Sequence, residues 1–148
     1  MKLQDAENLA LVLMEDHGIG NTWSFGFDHA KQRCGACHHG KRKITLSRHF
    51  VQRNGEAEVR DTILHEIAHA KAGAKAGHGR TWQMWAIRVG ARPERCATNV
   101  DMPEGDIEGV CAPGCTVRHT RHRMPPKRLL DAYQCNRCYS KVTWVIVK

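Results

Sequence analysis

The sequence predicts an α+β protein, a core of helices packed on a small sheet, with a small metal-held ribbon at its C-terminal end. Three observations carry this. A helix-favouring run near residues 55–73 contains His65-Glu66-Ile67-Ala68-His69, short strand-like segments precede it, and two cysteine pairs follow it at 111/115 and 135/138. Residues four apart share a helix face, so both imidazoles of the first feature point the same way and can grip one metal ion.

The elements follow in order. Residues 3–16 predict a helix, with Leu9, Val12 and Leu13 on one face and Gly18 past its end. Strands are expected near 22–28, 31–37 and 43–47, with Asp28-His29 turning between the first two. The motif helix should span about 55–73: Val59, Ile63, Ile67 and Ala70 form its apolar stripe, acidic side chains fill its early turns, and Gly73 and Gly77 weaken it beyond the motif. A further helix near 80–90 should carry Trp82, Trp85 and Val89 inward, with Gly90 and Pro93 ending it. The core thus occupies 1–97. Residues 98–110, acidic and rich in Pro and Gly, read as a linker, and 111–148 as a basic ribbon module. In that module 116–118 and 142–147 read as strands.

A hydrolytic zinc site takes three protein ligands and keeps one position open. His65 and His69 supply two, and His78, between Gly77 and Gly79, is the natural third because the glycines let the chain turn back. The bland alternative is an amphipathic helix with two solvated histidines and a loop histidine that caps the next helix. Metzincin spacing is excluded, since it needs Gly at 72 and His at 75, where Ala72 and Lys75 stand. Glu94 is a geometrically poorer third ligand. Glu66, beside a ligand without being one, is placed to act as general base on a zinc-activated water. The edge expected to pair with an extended peptide is 43–47. Arg80 is a possible oxyanion partner, and Trp82 and Trp85 are expected to pack against the zinc helix.

Cys111, Cys115, Cys135 and Cys138 suit a closed structural zinc held by four thiolates, which would supply the folding energy that so short a piece lacks in its own core. His119 or His122 could replace one of the four; the simpler reading leaves both to phosphate or solvent. Cys34-Gly35-Ala36-Cys37 has knuckle spacing but no second pair, so it reads as a buried strand or hairpin, and Cys96 as structural.

The Trp23-Ser24-Phe25 segment, a basic hairpin, Ile44-Thr45-Leu46-Ser47, the run from Thr62 to Ala70, His78-Gly79 with Trp82, and the terminal cysteine pairs together resemble the SprT-like metalloprotease family. That family includes Spartan-type proteases, which degrade proteins crosslinked to DNA. The resemblance spans about residues 20–148. It implies a zincin-like core with a C-terminal zinc ribbon, His65, His69 and His78 as zinc ligands, Glu66 as general base, and a protein or peptide substrate. The chain is short between its second and third ligands, so an access-regulating insertion there would be lacking.

The formal net charge is +8. Residues 1–110 hold 15 Lys or Arg against 14 Asp or Glu, whereas 111–148 hold 8 against Asp131 alone. Four thiolates on one Zn²⁺ would reduce the latter net from +7 to about +5, still a polyanion-attracting module with DNA as the expected partner. A basic surface with no partner is the plain alternative. No apolar stretch suggests a signal peptide or membrane span, which, with cysteines read as ligands or reduced thiols, predicts a cytoplasmic, DNA-associated monomer with two Zn²⁺ ions. Two functions are weighed: a zinc metalloendopeptidase recruited to DNA-bound or DNA-crosslinked proteins, and a zinc-dependent nucleic-acid-binding protein with a non-catalytic scaffold.

Overall fold

The computed structural model describes residues 1–148. The chain divides into two compact units, Met1–Pro103 and Glu104–Lys148.

In the first unit α1 (Leu3–Asp16) leads to three strands, β1 (Ser24–Asp28), β2 (Gly35–His38) and β3 (Lys43–Ser47). Their spatial order is β1-β3-β2, with β1 parallel and β2 antiparallel to β3. The chain therefore leaves β1 for the far edge and returns by a hairpin to the middle. Asp28 organises that departure: its carboxylate accepts hydrogen bonds from the Ala30 amide (2.9 Å), the Thr45 hydroxyl (2.8 Å) and Arg33 (2.9 Å). Thr45 is also joined to His38 (3.0 Å). The central strand is buried along most of its length, as its apolar Ile44 and Leu46 require.

Placing 43–47 in the middle corrects the expectation that it forms the peptide-pairing edge; β1 and β2 are the edges. A short α2 (Arg48–Arg53), unpredicted from sequence, follows at once. Ser47 caps it by accepting from the Phe50 amide, and the Met1 ammonium donates to the carbonyls of Val51 and Asn54 at its end.

The motif helix is α3 (Glu56–Ala72), and α4 (Arg80–Val89) packs against it. Glu56 and Glu58 lie in the first turn of α3, where the helix dipole favours them. Val59, Ile63 and Ile67 are fully buried, in a core with Ile44, Leu46, Phe50 and Trp82. Each such side chain contributes about 1.5–3 kcal/mol over an exposed position. Trp85 is only partly buried, with Arg88 stacked on its ring at 4.9 Å.

The second unit is a sheet of order β5-β4-β6, antiparallel throughout, with β4 Ile107–Val110, β5 His119–Arg121 and β6 Thr143–Ile146. Two sequence expectations are corrected here. Residues 107–110, read as linker, form the middle strand, and the strand read at 116–118 lies at His119–Arg121. The buried apolar residues of this unit are few, Ile107, Cys135 and Val142. No helix is long and apolar enough to cross a membrane.

Candidate metal centre and cleft

Helix α3 brings His65 and His69 to one face, and the chain then reverses. Gly73 ends the helix at φ 93°, ψ 161°, Gly77 follows at φ 52°, and His78 returns to the helix just before α4. Both glycine conformations lie where a side chain is strained. The three Nε2 atoms converge: His65 to His78 is 3.0 Å, His69 to His78 3.1 Å and His65 to His69 3.3 Å. Tetrahedral ligands at about 2.0–2.1 Å from zinc stand roughly 3.3–3.4 Å apart, so the triad fits a Zn²⁺ ion after small relaxation.

Trp82 forms the floor. It is fully buried, its ring centroid lies 4.6 Å from His65, 4.6 Å from His78 and 5.3 Å from His69, and its indole N–H points to the His65 carbonyl at 3.4 Å. Burial, then the charge of the neighbouring imidazoles, holds both His65 and His69 down at about 4. Neutral imidazoles are the form that ligates a metal.

Glu66 lines the same cleft as the triad and is almost wholly buried, which pushes its carboxyl up to about 8 against the opposing pull of Arg33. Its room comes from β2. A Cβ built on Gly35 would stand 3.1 Å from Glu66 Oε1 and 3.0 Å from the Thr45 carbonyl. The cleft above is a cavity of about 480 Å³, with Gly35, Cys37 and His39 on one wall and Arg92, Cys96 and Met102 on the other.

The far wall is tied to the core at both ends. Asp61 on α3 accepts from the Arg92 amide (2.9 Å) and guanidinium (3.1 Å), and Asn54 exchanges hydrogen bonds with the backbone of Asp101 (2.8 and 2.9 Å). Glu94 lines the cleft but lies outside the converging ligand group. Arg80 is exposed at the start of α4 and is not among the cleft residues. Cys37 lies on β2 and Cys34 just before it, as the strand or hairpin reading expects, but both are half-buried rather than buried; Cys96, read as structural, is exposed, and all three line the cavity. Burial and then the Glu66 charge raise Cys34 to about 11 and Cys37 to about 12.

In the second unit the ligand atoms of Cys111, Cys115, Cys135 and Cys138 lie within 4.8 Å of one another, with Cys115 and Cys135 sulfurs 3.8 Å apart. Four sulfurs at about 2.3 Å from a tetrahedral zinc are separated by roughly 3.8 Å, so this group also fits the metal. Backbone hydrogen bonds from Ser140 and Ala112 draw Cys138 down, whereas desolvation and the neighbouring thiols push Cys111 up to about 12. His119 and His122 stand outside the group, and His119 packs edge-on against Trp144.

A model of the SprT-like family matches residues 6–102. The chain belongs to the SprT-like family. Among relatives, it is 31% identical over 88 residues to germ cell nuclear acidic protein of Drosophila melanogaster; the match takes 54% of this chain but spans only 8% of that protein. Among solved structures, the metallopeptidase zymogen jannalysin of Methanocaldococcus jannaschii aligns with TM-score 0.50 at 18% identity, over 57% of this chain and 80% of that one. The zymogen abylysin of Pyrococcus abyssi aligns at 0.48 and 21%, over 57% and 78%. The jannalysin alignment shows the zincin-like fold expected of the SprT-like core.

Proposed function

We propose that this SprT-like chain is a zinc-dependent endopeptidase, with His65, His69 and His78 as zinc ligands and Glu66 as general base, delivered to DNA-bound or DNA-crosslinked proteins by its C-terminal zinc module. The observation that carries the catalytic part is the buried Glu66 carboxyl in the same cleft as three Nε2 atoms converging within 3.3 Å. Zn²⁺ held by His65, His69 and His78 would supply Lewis-acid chemistry for the scissile carbonyl and the attacking water. Glu66 would accept a proton from the attacking water and hand it to the leaving amine. β2 is an edge strand that lines the cleft, and its unpaired edge offers main-chain hydrogen bonds to an extended peptide, a mode with little side-chain selectivity.

Two observations support delivery to DNA. Residues 111–148 carry seven more basic than acidic side chains. The Arg121 guanidinium lies 4.6 Å from the Tyr133 ring centroid and 5.3 Å from that of Trp144, a cationic and aromatic group of the kind on which unpaired bases stack. The Drosophila relative is named for the nucleus, in keeping with this reading.

The competing function, a nucleic-acid-binding protein on a non-catalytic scaffold, gives Glu66 no role. Cleavage of a DNA-bound protein is therefore to be compared for the wild type and Glu66→Gln, with and without DNA. The expected result is DNA-dependent fragments from the wild type alone, with a rate loss in the variant of about 10²–10⁴-fold. Equal turnover in both proteins would overturn the protease assignment, whereas cleavage indifferent to DNA would overturn only the delivery.

A further inference from the structure

Gly35 and Cys37 of β2, and His39 in the turn that follows it, all line the cleft. Gly35 gives way to Glu66, and Cys37 and His39 bring a thiol and an imidazole to the same wall. Their contact is specific: Cys37 Sγ lies 3.7 Å from His39 Nε2, and the His39 ring is held edge-on by Trp23 at a centroid distance of 5.7 Å. A thiolate at about 2.3 Å and an imidazole nitrogen at about 2.0–2.1 Å from one tetrahedral zinc stand roughly 3.6 Å apart. The pair thus already has the bite of a bidentate zinc ligand.

Neither residue belongs to the two groups described above, and both border the open cavity, where water or a substrate donor can fill the remaining coordination positions. We propose that Cys37 and His39 form a third, exchangeable metal-binding site for a thiophilic divalent cation such as Zn²⁺, and that its occupancy obstructs the cleft alongside the catalytic centre. Binding replaces the thiol proton by the metal, so one proton leaves to solvent for each ion bound. With two protein ligands instead of three or four, the site holds its ion more weakly than either resident site and follows the ambient zinc concentration. An ion at this position also stands in the cleft that a peptide must enter, so excess metal competes with substrate. That inhibitory consequence rests on the peptidase reading; the binding itself does not.

The test uses the full chain carrying two equivalents of zinc, titrated with further Zn²⁺ by calorimetry and with a pH indicator. The expected result is a third, weaker equivalent with release of one proton, absent from Cys37→Ser and from His39→Gln, both checked for retained two-zinc content and circular dichroism. Saturation of the wild type at two equivalents overturns the site, as does a third equivalent that persists unchanged in both variants. Peptide cleavage is then measured for each protein relative to its own rate without excess zinc. Inhibition of the wild type that is lost in Cys37→Ser supports the regulatory role, and binding without inhibition overturns that role alone. A third equivalent in a chain that cleaves nothing leaves the site standing and removes the function proposed above.

Discussion

Glu66 occupies a space that exists only because residue 35 has no side chain. Gly35→Ala would push a methyl group against both the Glu66 carboxyl and the backbone of β3, so the proposed base must move while the three imidazoles keep their places. We expect kcat to fall by about 10²-fold, the usual cost of a misplaced group, with metal content and KM little changed. Equal loss of bound zinc would show that the ligand helix itself had shifted. Asp28 makes a different kind of prediction. Burial raises its carboxyl, but the Ala30 amide, the Thr45 hydroxyl and Arg33 outweigh this and leave it below its ordinary value of 3.8. A group depressed in the folded state contributes stability above its unfolded pKa and loses it as the pH falls through the folded one. Asp28→Asn should therefore lower the thermal midpoint at neutral pH, and the gap to wild type should close in melts taken below about pH 4. A gap that is constant across that range would mean the carboxylate charge is immaterial.

Among the elements, the turn between α3 and α4 decides whether the third ligand arrives. Gly73 sits in a backbone region that is nearly exclusive to glycine, so Gly73→Ala should cost about 1–3 kcal/mol and displace His78. Zinc retention against a chelator reads this directly: an ion at the His65, His69 and His78 site should be lost first, with one at the four cysteines unaffected. Trp82→Ala removes the floor beneath all three imidazoles and leaves a large cavity, for which we expect a loss of about 3–5 kcal/mol in urea unfolding. Local elements of this kind were legible in the sequence, because His65, Glu66, His69, the two glycines and His78 are set by helical periodicity and one short turn. The order of the strands was not. A run such as 43–47 announces a strand, but the parallel pairing of β1 with β3 depends on a path through β2 that no local pattern encodes. β4 escaped for a related reason. Ile107-Glu108-Gly109-Val110 has weak strand propensity, and its Gly109 is required because His119 and Trp144 crowd the position where a Cβ would stand.

At the scale of the whole molecule, the two units draw stability from different sources. Met1–Pro103 has an extensive apolar core, whereas Glu104–Lys148 buries few apolar side chains besides its cysteines. Chelation should unfold the second unit and leave the first folded, a result that amide exchange or limited proteolysis would reveal as protection confined to residues before 104. Placing the boundary at Glu104 also brings Glu104, Asp106 and Glu108 into the basic unit, whose 8 Lys or Arg then face 4 acidic residues. Arg118 is gripped by Glu104 and Glu108, each at 2.9 Å, and Lys141 pairs with Asp131. This changes what ionic strength can do. An oligonucleotide on this unit would displace condensed counterions only through the cations not already matched by carboxylates, at most six, so a single strand should give a log–log salt slope no steeper than about −4.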